Sequence, residues 1–289
     1  MASKRKLVLL LTPFCIFFCL FFLNAFLKSI ITSLGYYPIV KLRKITLDYY
    51  LSAFSDPSFI TISLRTFIFS MISAAFACII GLFLALCLQR TTGIWKKVFT
   101  RFTQIPVMLP HVFIVLALLQ LISQTGIISG ILLKLGWISS SNQFPLLVND
   151  PWQIGVVITY LWKEIPFVVV SLILVLSSMK IDYRDVAFNL GASKFQAFCK
   201  VTLPLIQTSL INAFIINFSF NFGSYEVPFL LGNQQKELLP VYIYNFYVQG
   251  DITKMPLVMA LNVILSVFSI IFALILLKIS KSLSKWNQG

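Results

Sequence analysis

Charged residues are absent from five long stretches of the chain: Leu7–Leu27, Thr66–Gln89, Ile105–Gln124, Ile206–Tyr225 and Pro256–Leu277. A sixth stretch, Ile154–Met179, is interrupted only by the adjacent pair Lys163 and Glu164. A helix needs about 20 apolar residues to cross the hydrocarbon core of a bilayer. The pattern therefore predicts an all-α integral membrane protein with six transmembrane helices, and an even number of spans puts both termini on one side.

The segments between the runs differ in character. Residues 28–65 and 226–255 are rich in aromatic and polar residues, with Pro228, Gly232, Pro240 and Gly250 in the second, and predict short helices or turns at the membrane surface. The first run follows the basic "MASKRK", and with no small-x-small cleavage pattern behind it, it reads as a retained span.

The region from Ser178 to Pro204 is the exception to the greasy pattern. Asp182 and Asp185 suit a helix start, where acids face the positive end of the dipole. Val186 and Leu190 then share a face, and Gly191 permits a tight break or a close helix approach. Ser193 with Gln196 three residues later has the form of a capping box opening a second short helix. Phe195, Phe198 and Thr202 follow at helical spacing, and Pro204 suits the first turn of the next span.

Composition supports the membrane reading. Hydrophobic residues make up 58% of the 289 residues, charged residues 11%, and the mean hydropathy is +0.91. The net charge of +14 reads as topology, not as nucleic-acid binding. With the N-terminus in the cytoplasm, 14 Lys and Arg fall on the cytoplasmic side and 8 on the other, as the positive-inside rule requires. The five cysteines, Cys15, Cys19, Cys78, Cys87 and Cys199, show no CxxC spacing, which argues against a disulfide framework or a metal site.

Catalytic signatures are missing. No GxxxxGK[ST] phosphate loop and no GxSxG motif occurs, so any ATP-derived energy comes from another chain.

The stretch "DVAFNLGASKFQAFCKVTLP", Asp185–Pro204, resembles the cytoplasmic signature EAA-x3-G-x9-I-x-LP of permease subunits of binding-protein-dependent ABC importers. Asp185, Val186 and Ala187 stand at its first three positions; Gly191, Val201, Leu203 and Pro204 follow in register. Departures are Asp185 for Glu, Val186 for Ala, and Thr208 where many members have a second proline. "TLDYYLSAFSDPSFITISLRTF" and "GSYEVPFLLG" are similar to other segments of such permeases, of the spermidine/putrescine and ferric-iron kind.

The resemblance implies a type I importer (MetI-like) fold: a flanking first helix with an outer segment, residues 1–45, and a five-helix core, residues 46–289. It also implies a coupling segment that docks on a separate ATPase subunit, with Asp185, Ala187, Gly191, Ala192, Ser193, Phe195, Phe198, Leu203 and Pro204 as its residues. Phe195 and Phe198 would be its anchors. The implied partners are a second permease subunit, homologous or identical, two ABC ATPase subunits that carry ATP and Mg, and an extracytoplasmic substrate-binding protein. The implied setting is the inner or plasma membrane of a bacterium, and the chain itself binds no cofactor and is no enzyme.

Intramembrane polar residues are the candidates for the translocation path: Glu164, Asn217, Asn221, Tyr225 and Glu226. Charge at bilayer depth is expensive unless paired or hydrated, so Glu164 and Lys163 face the path, the partner permease, or an interface; Pro166 could break the helix beside them. As neighbours in sequence the two point in different directions and do not form an obvious pair. Asn217 and Asn221 lie four apart, on one face; amides also join membrane helices, the preferred reading for Asn212. His111, the single histidine, reads as a packing or hydrogen-bonding residue rather than a metal ligand or proton relay. Two alternatives stand beside the importer: an ion-coupled secondary transporter using Glu164 or His111, and a membrane scaffold whose loop recruits a cytoplasmic protein. The glycine and Leu-Pro spacing favours the importer; the solute, polyamine, iron or similar, is not legible.

Overall fold

The computed structural model describes residues 4–178 and 183–286. Among them the chain is helical with no strand, and six segments are long and apolar enough to cross a membrane: Leu9–Ser33, Pro57–Arg90, His111–Lys134, Ile154–Ser177, Lys194–Gly223 and Ile252–Ser282. The chain divides into two compact units, one running to Thr61 and resuming over Tyr242–Phe268, the other covering Ile62–Val241 and the residues from Ser269 onward.

In the first unit, α1 (Lys4–Phe17) runs through a wide π-turn (Phe18–Leu23) into α2 (Asn24–Ser33). A tight reversal follows. Gly35 has φ +86, and a β-carbon there would lie 2.9 Å from Thr46 Cγ2, so both the left-handed backbone and the close approach call for glycine. Tyr37 and Leu42 exchange backbone hydrogen bonds of 2.9 and 3.2 Å. Helix α3 (Asp48–Ser55) is then tied back by the 2.5 Å contact of Tyr50 Oη with Ser33 Oγ. Tyr242 donates to Asp56 at 3.3 Å.

The second unit holds most of the core. Helix α4 (Pro57–Arg90) begins in the first unit and continues into this one. Ala77 and Ala85 are fully buried with Gly81 between them, a small-residue stripe at four-residue spacing that lets membrane helices approach. The partner is α8 (Ile154–Ser178): a β-carbon on Gly81 would lie 2.6 Å from Val168 Cβ. Cys78, Ala85, Val168, Leu172, Leu176, Ile206 and Ala213 form one core cluster of α4, α8 and α11 (Leu203–Gly223). Ser209 Oγ donates to the Ser171 carbonyl at 3.2 Å, joining α11 to α8. Phe67, Phe218 and Phe272 meet edge to face or tilted at 4.3–5.6 Å, bringing in α14 (Met255–Trp286).

Three expectations need correction. The expected third span, Ile105–Gln124, is not one helix: α5 (Gly93–Met108) ends before Leu109 and Pro110, both extended, and α6 (His111–Ile122) starts anew. Pro110 has no N–H to carry a helical ladder. Helix α5, with Lys96, Lys97 and Arg101 on it, packs along α8. The crossing segment instead joins α6 to α7 (Ile127–Lys134). The second correction concerns Pro166, which sits inside α8 without ending it. The third concerns length: α4 and α14 extend past the charged residues that bound their uncharged runs.

Candidate functional site

The amphipathic segment folds as α9 (Tyr183–Asn189), a glycine turn, and α10 (Lys194–Ala197). Asp182 and Lys180 lie outside the described residues. Gly191, at φ +85, closes α9 in a Schellman arrangement: its N–H bonds the Phe188 carbonyl and the Ala192 N–H bonds the Ala187 carbonyl, both at 2.9 Å. The space around Gly191 is open to 4 Å, so glycine serves the left-handed backbone here, and the expected close helix approach is not made within the chain.

The capping box is formed in both directions. Gln196 N–H donates to Ser193 Oγ at 3.2 Å, and Ser193 N–H donates to Gln196 Oε1 at 2.9 Å. After α10 the chain widens into a π-turn, Phe198–Thr202, and runs straight on into α11, with Leu203 and Pro204 in its first turn. A proline ring clashes with the carbonyl four residues back in a regular helix, and the widened turn ahead of Pro204 relieves that clash.

The wide turn also splits the expected face. Phe195 is 74% exposed and Leu190 84%, whereas Thr202 is buried. Phe198 is half-buried, so it is not a free anchor equal to Phe195. The apolar surface actually presented includes Tyr183, Val186, Phe188, Leu190 and Phe195, while Ala197 is buried. Asp185 and Ser193 are exposed, Ala187 and Ala192 half-buried.

The polar interior lies farther along α8 and α11. Lys163 and Glu164 diverge as expected of neighbours on a helix. Lys163 Nζ donates to the Leu109 carbonyl at 2.7 Å and to His111 Nδ1 at 2.9 Å. It thereby supplies a donor to a carbonyl stranded by the Pro110 break, and the His111 ring stacks on Phe220 at 4.1 Å. Glu164 turns inward and is 5% exposed. Its carboxyl faces the Asn221 side chain as a hydrogen-bonding neighbour, although no contact meets strict hydrogen-bond geometry. Asn217 and Asn221 are buried together on α11, while Asn212 is exposed rather than joining helices within the chain. Tyr225 is exposed and Glu226 half-buried at the start of α12 (Glu226–Leu231).

Sequence reasoning missed a third polar assembly. At the Ile154 end of α8, Asp150 accepts from Trp152 N–H at 3.0 Å and Ile154 N–H at 2.9 Å, capping the helix. Gln153 donates to the Lys236 carbonyl at 2.9 Å and accepts from Asn233 N–H at 3.2 Å. Asn149 N–H donates to the Leu231 carbonyl at 2.8 Å, and its own carbonyl accepts from Asn233 Nδ2 at 2.9 Å. Asn149 and Gln153 both have φ +60, unusual for residues with side chains. The assembly clamps α12 onto α8, over the cluster of Val115, Val156, Tyr160, Val227 and Leu231. Two non-glycine residues in left-handed turns leave no sequence signal beyond an asparagine.

Six apolar helices, one capped amphipathic excursion and a charge-bearing interior define a membrane transport subunit of the permease class. Residues 77–285 match the family described as binding-protein-dependent transport system inner membrane component, and the chain belongs to it. It is 26% identical over 196 residues to the sulfate transport system permease protein CysT of Escherichia coli K12, covering 68% of this chain and 67% of that one. To the spermidine/putrescine transport system permease protein PotC of the same organism it is 24% identical over 244 residues, 84% of this chain and 83% of PotC. The fold agrees with a chain of the crystal structure of a bacterial alginate ABC transporter in complex with an alginate pentasaccharide-bound periplasmic protein. The TM-score is 0.77 at 20% identity, covering 98% of this chain and 96% of that chain. The protein is thus a multi-pass inner-membrane permease subunit of a binding-protein-dependent ABC importer, and it is not an enzyme.

Proposed function

We propose that this chain pairs with a second permease subunit, homologous or identical, and that two ATPase subunits carrying ATP and Mg drive the pair through the Asp185–Pro204 segment. The observation that carries this reading is the capped frame that leaves Leu190 84% and Phe195 74% exposed. An exposed aromatic on a short rigid helix suits a groove in a partner, where such anchors supply most interface energy. Gly191, Ala192, Ser193, Phe198, Leu203 and Pro204 shape the frame. Asp185 and Ala187 belong to its first helix.

The excess of Lys and Arg on the segments joined to this loop supports cytoplasmic termini. On that orientation the Asn149–Gln153 clamp and α12 face outward, where an extracytoplasmic substrate-binding protein delivers a small solute of the polyamine, ferric-iron or similar kind. Tyr225 and Glu226 stand at the outer end of the path. Glu164, Asn217 and Asn221 lie behind its wall and reach it only as the helices part. The organisation of residues 1–45 as a flanking helix and 46–289 as the transport core belongs to the same reading.

The test is reconstitution of the chain with its cognate subunits and uptake of labelled spermidine, ferric iron, sulfate and alginate oligosaccharides, with Phe195→Asp as the control. ATP-dependent uptake of one solute, lost in Phe195→Asp, is expected. ATP-independent uptake driven by an ion gradient would overturn the reading.

A further inference from the structure

The first unit turns back on itself where its membrane helix ends. Gly35 N–H bonds the Thr32 carbonyl at 2.9 Å, and Thr46 N–H bonds the Leu34 carbonyl at 2.8 Å. Tyr50 is held to Ser33, the last residue of the span Leu9–Ser33. Residues 34–50 are therefore pinned beside the end of α2, at the level where that helix leaves the hydrocarbon.

Two kinds of side chain crowd this reversal. Lys41, Arg43 and Lys44 are all exposed, and among the described residues none makes a side-chain hydrogen bond or ion pair. No acid precedes Asp48 in the chain, so no carboxylate inside the turn offsets the three charges. Beside them Ile39 is 74% exposed and Ile45 75%. Leu47, Leu51 and Phe54 follow at spacings of four and three, a single face of α3 and its cap. All three are exposed, while Ala53 on the opposite side is buried.

Water suits the cations but not the apolar stripe. A delivery protein that docks and leaves in every cycle is poorly served by so greasy a surface. A headgroup layer satisfies both parts, with phosphates for the cations and the acyl boundary for the stripe. On the proposed orientation these cations also lie on the side that the positive-inside rule leaves poor in Lys and Arg, so topology does not account for them.

We infer that residues 34–54 bind anionic phospholipid, of the phosphatidylglycerol type, in the outer leaflet. Lys41, Arg43 and Lys44 hold the headgroup phosphates, and Ile39, Ile45, Leu51 and Phe54 sink into the acyl boundary. Assignment to the outer leaflet rests on the importer orientation; the lipid chemistry does not.

The test places the full-length chain, with the subunits that accompany it, in nanodiscs of phosphatidylcholine with or without phosphatidylglycerol. Hydrogen exchange over residues 34–54 and the phosphatidylglycerol retained by the protein are read together. Phosphatidylglycerol is expected to be enriched and to slow exchange there. Arg43→Gln should lower the enrichment about fivefold, as for one charge near an anionic surface. The triple variant Lys41→Gln, Arg43→Gln, Lys44→Gln should abolish it, whereas Lys41→Arg with Lys44→Arg should keep it. Equal exchange in the two lipids without enrichment overturns the proposal. So does a triple variant that keeps its lipid preference, and above all one that keeps it while losing the delivery protein, which assigns the surface to protein docking. ATP-dependent uptake by the parent is scored separately, so failure of the importer reading leaves the lipid result standing.

Discussion

The ammonium of Lys163 donates to Nδ1 of His111 at 2.9 Å, fixing the ring with its hydrogen on Nε2. The same ammonium holds the Leu109 carbonyl at 2.7 Å. One side chain therefore bridges the gap left by Pro110 and orients the sole histidine. Lys163→Met should take the donor from that part-exposed carbonyl and destabilise the subunit by about 1 kcal/mol. Lys163→Gln keeps a donor and should recover part of the loss. Thermal midpoints of the two purified variants check this; equal midpoints would mean that the carbonyl does not need Lys163.

At Gly81, α4 and α8 approach closely, with 2.6 Å between a hypothetical β-carbon and Val168 Cβ. Gly81→Ala should cost about 1–3 kcal/mol by overpacking. Combined with Val168→Gly, which removes both clashing carbons, it should cost less than the sum of the single changes. A double-mutant cycle on unfolding in lipid or detergent measures the coupling.

Much of this architecture is legible because the bilayer permits so few solutions. The charge-free runs mark the spans, and Ser193, Gln196 and Gly191 mark a cap and a turn whose chemistry is local. Helix α5 is harder to see: Lys96, Lys97 and Arg101 make its sequence look like a loop, and only packing on α8 shows that it is a helix with one covered face. The π-turn at Phe198–Thr202 likewise has no signature, and it separates Phe195 from Thr202. The Asn149–Gln153 clamp depends on residues more than 80 positions apart, and no short-range pattern reports such a pairing.

Because the surroundings of Gly191 are open, its substitution should test conformation without a clash. Gly191→Ala meets only the left-handed backbone and should cost about 1 kcal/mol. Gly191→Trp adds bulk on the docking side. Membrane insertion should survive in both, while solute-stimulated ATPase activity falls modestly in the first and collapses in the second. Normal stimulation in Gly191→Trp would remove the docking role.

Phe195 and Ala197 lie two residues apart and behave oppositely: Phe195 is 74% exposed and Ala197 1%. Phe195→Ala should leave the unfolding free energy within about 0.5 kcal/mol of the parent, as for surface changes, and weaken copurification of the ATPase. Ala197→Asp buries an unpaired charge and should destabilise the subunit itself. Measuring yield and ATPase retention together separates the two effects.

Gln153 joins α8 to α12 from a left-handed position, and its amide satisfies both the Lys236 carbonyl and the Asn233 N–H. Gln153→Leu removes both bonds and keeps the strained backbone, leaving two polar groups without partners. The same side chain sits 2.7 Å from a hypothetical β-carbon on Gly232, so the α12 exit is shaped around it. The expected result is faster hydrogen exchange confined to residues 226–239, with unchanged protection in the α4–α8 contact at Gly81. Transport should fall while basal ATPase activity persists, because the clamp lies at the end of α8 remote from the docking helix. Gln153→Asn, too short to reach both groups, should behave as the leucine does; a variant with parent-like exchange would show that α12 is held by its apolar cluster alone.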